Sequence, residues 1–435
     1  MPLYPYILIP FAILIPLAMA IEILIPEKLP GPIFTITEKF LSILTFFSST
    51  NSKILFTSNV LFLILLLIFL IKKLLLTLKP IESFLPVKLI MRKFFIITAF
   101  IVFLGTINNS YSVAENLDDN GIISLMYHRF EENKYPSTNI RIADFENHLS
   151  LIKNSNFKFI SHKEFESSLN MNNIDKKILL TIDDGFSSFY EKAWPILRKD
   201  KIPFIIFINT ESIGANGYMN WEQIQEISKF EFVHIGNHSH THDYLVDKSD
   251  QEIKEDIETA IKIFKKKLNH ETKFFAYPFG EYRNSYKEIV KNLGFKYAFG
   301  QHSGVMDKTK SRFELPRFPI NEKYGKAERF KSLLKTIPFP YKSIYPEERY
   351  LSDKNNPPEV NISFFDEGPN IKNINCYSNE ENTWRKSKLN FHKKNELKII
   401  LDGKFTTERG RINCSLRESN GKWRWLGIQF VIADK

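Results

Sequence analysis

The rhythm of apolar and polar positions changes twice along the chain. Residues 7–25 and 54–71 are nearly continuous apolar runs, and the second contains LFLILLLIFLI. That length suits a helix crossing a bilayer, although Pro10 and Pro16 would kink the first run. A third run, 94–107, is shorter and suits the core of a signal peptide. From residue 121 short apolar runs alternate with amphipathic ones. Residues 122–127, 158–160, 177–182, 203–208, 232–236, 274–278 and 296–300 read as buried strands. Helices are predicted over 143–155, 189–199 and 250–268, the last with Ile253, Ile257, Ile261 and Phe264 at helical spacing. Such alternation predicts parallel strands in an α/β barrel or doubly wound sheet, with chemistry where strands end. The stretch 336–358 is rich in proline and charge and reads as a linker or wrapping arm. Over 359–435 short alternating runs, with Asn420-Gly421 between two of them, predict a small antiparallel β module.

Charge sharpens this division. The formal net charge of +10 comes from 59 Lys and Arg against 49 Asp and Glu. Residues 1–114 hold nine basic and four acidic residues, which leaves 50 and 45 for the remainder. That balance is ordinary and argues against nucleic acid as a partner. Lys72, Lys73, Lys79, Lys88, Arg92 and Lys93 separate the second apolar run from the third and keep that stretch on the cytoplasmic side. Read from Met91, the charged start Arg92-Lys93, the apolar core and Ser112-Val113-Ala114 make a complete secretory signal peptide. Two origins stand side by side: translation from Met91, with 1–90 an upstream extension, or a three-span membrane protein. Both place the chain after residue 114 outside the cytoplasm, in the periplasm or at the cell surface, membrane-anchored or secreted. The two cysteines, Cys376 and Cys414, are then expected to form one disulfide.

Three segments carry candidate chemistry. KILLTIDDGFSSFY puts Asp183 and Asp184 just past a strand too apolar to be a surface edge, and adjacent carboxylates there need a shared cation or proton. VHIGNHSHTHDYL gathers His234, His238, His240 and His242 within nine residues. His238 and His242 would share one face of a helical turn; in an extended segment His238, His240 and His242 would share a face instead. One carboxylate plus two imidazoles makes a three-ligand site with an open position, as catalytic zinc requires. FFAYPFGEYR, with Pro278 and Gly280, marks a tight turn whose backbone would line a pocket.

Together these segments resemble the polysaccharide deacetylases of carbohydrate esterase family 4, which have the NodB-type homology domain. TIDDG at 181–185 is similar to the family's T-F-D-D-G, and His238-Ser239-x-x-His242 to its H-S/T-x-x-H. The resemblance covers roughly residues 121–320 and implies a distorted (β/α) barrel as the fold, within a catalytic domain spanning 115–335. It implies Asp184, His238 and His242 as ligands of Zn²⁺ or another divalent transition metal, and Asp183 as general base. It gives no role to His234 and His240, which are expected to support the ligands from behind or to be structural. Phe279 is implied as the source of an oxyanion-binding backbone N–H, with Tyr277 beside it at the substrate. Ala276 stands where the family often has an arginine that holds the base, and Arg317 in ELPRFPI is the candidate replacement. For the histidine that acts as general acid, His302 in FGQHSG is the first candidate and His128 in LMYHRF the second. The Tyr-His at 127–128 looks like that of exported poly-N-acetylglucosamine deacetylases. The implied activity is removal of N-acetyl groups from N-acetylglucosamine units of a surface or extracellular polysaccharide. An O-acetyl esterase and a non-catalytic glycan-binding protein are the alternatives. Trp423 and Trp425, alternating along one strand, would stack on sugar if exposed or pack as core if buried.

Overall fold

The computed structural model describes residues 120–173 and 175–433. The expected membrane region at 1–90 and the signal segment at 91–114 lie outside the described residues. No helix among the described residues is long and apolar enough to cross a membrane.

In chain order the first strands are β1 (Ile122–Tyr127), β2 (Arg129–Phe130), β3 (Asn139–Ile140), β4 (Phe157–Phe159), β5 (Lys176–Asp184) and β6 (Phe204–Ile208). They are followed by β7 (Val233–Asn237), β8 (Phe274–Ala276), β9 (Tyr297–Phe299), β10 (Val305–Met306) and β11 (Phe318–Pro319). Apart from the β2–β3 ladder these strands share one sheet of order β10-β1-β5-β6-β7-β8-β9, with β4 added to β5 and β11 to β1. Its pairings are parallel except that of β1 with β10.

Both faces of the central strands are buried, which is why they read as unbroken apolar runs. Ile178, Leu180 and Ile182 of β5 pack with Ile206 and Ile208 of β6 against helices α1 (Ile142–Lys153), α3 (Trp194–Asp200) and α4 (Trp221–Ser228). The opposite face carries Leu179, Ile205, Phe207 and Phe299, together with Phe165 and Leu169 of α2 (His162–Asn170). Side chains alternate along a strand, so Thr181 and Asp183 follow Leu179 onto that second face. The chain between β10 and β11 then ties the two edges together. Ala298 N–H donates to Arg312 O, Leu315 N–H to Ala298 O and Gly300 N–H to Leu315 O, before β11 joins β1. The sheet is thus curled, in keeping with the expected distorted (β/α) barrel, and Arg317 sits on the closing segment.

The remaining strands are β12 (Thr336–Pro338), β13 (Ser343–Tyr345), β14 (Tyr350–Leu351), β15 (Val360–Ser363), β16 (Asn375–Ser378) and β17 (Arg385–Lys386). After them come β18 (Lys388–Lys393), β19 (Glu396–Ile400), β20 (Arg409–Arg417) and β21 (Trp423–Ile432). One sheet runs β12-β21-β20-β16-β17 with β14 on β21; another runs β13-β15-β19-β18. Val360, Ile362, Leu397 and Ile399 of the second sheet meet Ile412, Leu426, Ile428 and Phe430 of the first in one apolar cluster. Cys376 and Cys414 face each other across β16 and β20 in that cluster and form a disulfide. The stretch 336–358, expected as a linker or wrapping arm, is built into the sheets of this module. Its three short strands β12, β13 and β14 pair with β21, β15 and β21 respectively, so its prolines and charges punctuate strands instead of loosening the chain.

Strand β21 joins this module to the rest of the fold. Leu426, Ile428 and Phe430 point into the module's core, while Trp425, Gly427 and Gln429 alternate with them onto the other face. Trp425 donates its indole N–H to Ser303 Oγ at 2.9 Å. A Cβ on Gly427 would stand 2.4 Å from Ser303 O, so only glycine lets the two backbones approach this closely. Trp425 is therefore committed to the seam, and Trp423 is half-buried with the Arg417 guanidinium 5.8 Å from its ring. The pair is no open stacking platform.

Candidate active site

Parallel strands deliver their chemistry where they end. Asp184 closes β5 with a left-handed backbone (φ +72°), which turns its carboxylate away from the strand's alternation. His238 follows β7 directly, and His242 lies one short loop further on. Asp184 Oδ1 lies 3.4 Å from His238 Nε2 and 3.3 Å from His242 Nε2. One ligand atom from each of the three residues falls within 4.8 Å of the others.

Each imidazole is aimed by a partner on its far side. His238 Nδ1 is 2.7 Å from Ala276 O at the end of β8, which places the proton on Nδ1 and leaves Nε2 as a lone-pair donor toward Asp184. The His238–His242 loop is built around two left-handed residues, Ser239 (φ +71°) and His242 (φ +59°). It is held by Asp256, whose carboxylate accepts from His240 N–H (2.7 Å), Thr241 N–H (3.0 Å) and the Thr241 hydroxyl (2.7 Å). Asp256 sits on α5 (Asp250–Leu268), within the buried stripe Ile253, Ile257, Ala260 and Phe264. It was not among the sequence candidates, and a carboxylate inside an apolar helix stripe is the signal that marks it.

The chemistry of these donors suits a divalent transition metal. Asp184 Oδ1 and His238 Nε2 are buried with no hydrogen-bond partner among the described residues. One carboxylate oxygen and two imidazole nitrogens match the borderline-soft preference of such ions. Burial opposes the charge on Asp184, yet His238 and His242 outweigh it and hold the carboxyl well below its usual range. Burial also lowers His242, but the Asp184 carboxylate more than reverses this and leaves it above the ordinary 6.5. A metal must displace that proton, so Zn²⁺ affinity should fall as pH drops from about 8 to about 5.5. Calorimetric titration of the full chain with Zn²⁺ measures it; an affinity independent of pH over that range overturns the ligand set.

Asp183, fully buried, points from the inner face of β5 toward Arg317, itself fully buried. The guanidinium donates to both carboxylate oxygens, at 2.7 and 2.8 Å, and its remaining bonds go to Gly300 O (3.0 Å) and Thr181 Oγ1 (3.3 Å). This bidentate geometry fixes the carboxylate's plane as well as its charge. Ala276 leaves the β8 position without a cation, and Arg317 supplies one from the closing segment.

The two histidine candidates for the acid part company here. His128 Nε2 stands 4.0 Å from Asp183 Oδ2. Burial lowers its pKa against the pull of Asp184 and Asp183. His302 belongs elsewhere: its ring lies against Tyr282, its charge neighbours are Glu314 and Arg349, and burial takes it down to about 4. The structure therefore brings His128, the second candidate, to Asp183 and leaves His302, the first, apart from it. The sequence pattern had no means of ranking them, because the closing segment turns the His302 side chain away while its carbonyl accepts from Arg317 N–H.

Tyr277 is corrected too. Its side chain is fully buried, its hydroxyl donates to Phe313 O (3.2 Å) and its N–H to Phe299 O (3.0 Å), so no donor is left for substrate. Phe279 does face the cluster. Its ring stacks on the 40% exposed Tyr244 at 4.2 Å and meets the His242 ring edge-on at 4.7 Å. Its backbone is left-handed (φ +57°). The His240 ring bonds to Thr210 and the His234 ring to Thr272, so neither offers that nitrogen to the metal-type cluster.

The buried carboxylate and the three-donor cluster beside it lie within a segment that matches a known enzyme class. Residues 170–298 match the family model described as polysaccharide deacetylase. The match places a polysaccharide deacetylase domain within the chain and, with the relatives below, supports an enzyme. It is similar to a poly-beta-1,6-N-acetyl-D-glucosamine N-deacetylase of Staphylococcus aureus, 24% identical over 245 residues, covering 50% of this chain and 83% of that protein. Among solved structures, IcaB from Ammonifex degensii is 25% identical with a TM-score of 0.45, covering 50% of this chain and 98% of that one. Streptococcus pyogenes deacetylase PplD in complex with acetate is 23% identical with a TM-score of 0.46, covering 50% of this chain and 99% of that one.

Proposed function

We propose that the chain is an exported, metal-dependent de-N-acetylase acting on N-acetylglucosamine units of a surface or extracellular polysaccharide. The observation that carries this reading is the pairing of two unlike carboxylates. Asp184 faces two imidazoles, while its neighbour Asp183 is locked by Arg317 four ångström from His128. On this reading the roles of metal ligand and base fall to adjacent residues that differ in backbone hand. The similarity to a poly-beta-1,6-N-acetyl-D-glucosamine N-deacetylase supports the substrate class. The buried Cys376–Cys414 disulfide supports an oxidising compartment.

In this mechanism Asp184, His238 and His242 hold the cation. Once bound, it supplies Lewis-acid polarisation of the acetamide carbonyl. Asp183 accepts a proton from the attacking water, its carboxylate held in plane by Arg317. The Phe279 N–H donates to the oxyanion that develops on the carbonyl oxygen. The proton taken by Asp183 passes through neighbouring His128 to the amine nitrogen as its bond to the acyl carbon breaks, releasing acetate and the free amine.

Acetate released from β-1,6-linked N-acetylglucosamine oligomers tests the reading. Release should be lost on chelation and return on adding Zn²⁺ or Co²⁺. Full activity after exhaustive chelation sinks the metal role, and no release from any N-acetylated oligomer with metal present sinks the activity.

A further inference from the structure

Phe279 is not glycine, yet it occupies a left-handed backbone conformation inside the Pro278–Gly280 turn. Such a residue is strained and persists only where its surroundings over-determine it. Gly280, next to it, is also left-handed (φ +71°), and a Cβ there would stand 2.4 Å from the Gln301 backbone nitrogen. The turn is therefore tight on its inner side. On its outer side it is gripped by the C-terminal module, far away in sequence. Gln429 of β21 donates its amide N–H to Gly280 O at 3.2 Å. Arg409 of β20 donates through Nε to the Glu281 carboxylate at 2.5 Å, and its guanidinium lies 5.4 Å from the Phe279 ring centre. Glu281 and Gln429 are 3% and 2% exposed, so both contacts are shielded from solvent and hold their geometry. Across the ring, Tyr244 and His242 close the cage.

We propose that Arg409 and Gln429 are positioning residues of the active site: through Glu281 and Gly280 they hold the Phe279 turn in the conformation that aims its N–H at the reacting carbonyl. This rests on the deacetylase reading for the role of Phe279. The small β module is then a working wall of the site, clamping a strained donor, and not a separate glycan-binding attachment. A donor displaced by about 1 Å costs turnover heavily, while ground-state binding of the polymer changes little.

The test uses two replacements in the full chain. One is Gln429→Leu. The other is the neutral pair Arg409→Met with Glu281→Gln, which removes the contact without stranding a buried charge. Burial already lifts the Glu281 carboxyl to about 7 against the pull of Arg409, so glutamine is a close substitute for it. Turnover should fall roughly tenfold or more in each, with KM changed less than about threefold. Zn²⁺ content by elemental analysis and the melting temperature should stay at parental values. A merely structural contact would lower the melting temperature and spare turnover per folded, metal-loaded molecule; that outcome overturns the proposal. Hydrogen exchange supplies a readout independent of activity. Amides of 277–283 should exchange faster in both variants, while those around Asp183 and His238 keep their protection. Unchanged exchange in 277–283 overturns the clamp even if the parent protein releases no acetate. Loss of acetate release by the parent alone sinks the deacetylase reading instead.

Discussion

Asp183→Asn should lower turnover by about a thousandfold while leaving the metal in place. The substitution keeps the shape of the side chain and at least one of its bonds to Arg317 but removes the ability to take a proton. Asp184, His238 and His242 are untouched, so elemental analysis should give the same Zn²⁺ content as the parent. A turnover within threefold of the parent would show that another group receives the proton. Loss of metal along with activity would show that the two aspartates do not divide their roles as their opposite surroundings indicate.

Arg317→Met should be the more damaging change to the fold. It leaves a fully buried carboxylate without its cation, and breaking one side of such a pair costs about 3–5 kcal/mol. Without the guanidinium the Asp183 carboxylate also loses the two bonds that fix its plane and position. Activity should therefore vanish near pH 7 even in the fraction that stays folded. Combining it with Asp183→Asn should recover most of the lost stability, because no lone charge is then buried, and recover none of the activity. Urea denaturation of the parent, both single variants and the double variant measures the first expectation, and initial rates the second. A double variant no more stable than Arg317→Met would mean that the guanidinium acts chiefly through Gly300 and Thr181.

Much of this site was legible in the sequence because its reactive groups are local. Asp183 and Asp184 are neighbours at the end of an apolar run, and His238 and His242 lie in one loop, so type and spacing were enough. The strands and the long helix at 250–268 were equally plain, since parallel strands buried on both faces leave continuous apolar runs and the helix repeats its apolar positions. What escaped the sequence is what crosses long distances. Arg317 was nameable only through the gap at Ala276, whereas Asp256 and Gln429 reach the site from elements whose own patterns show only a helix stripe and a strand. His302 and Tyr277 were misplaced for the complementary reason. Closeness in sequence to a functional turn does not fix which way a side chain leaves it, and here burial among Tyr282, Glu314 and Phe313 decided. The strands β12–β14 were hidden by their brevity, being two or three residues each.

The Arg317–Asp183 contact spans 134 positions of the chain. A ribosome adds about 5–20 residues per second, so Asp183 exists for roughly 7–27 s before its partner is made. During that interval β5 cannot bury the acid end of its inner face at low cost, and the carboxylate must stay in water. Final dehydration of the pocket is thus deferred until the closing segment arrives, whatever order the surrounding helices adopt. The carboxylate proposed as the base is in this sense shielded late, only once residues far along the chain have folded back onto β5.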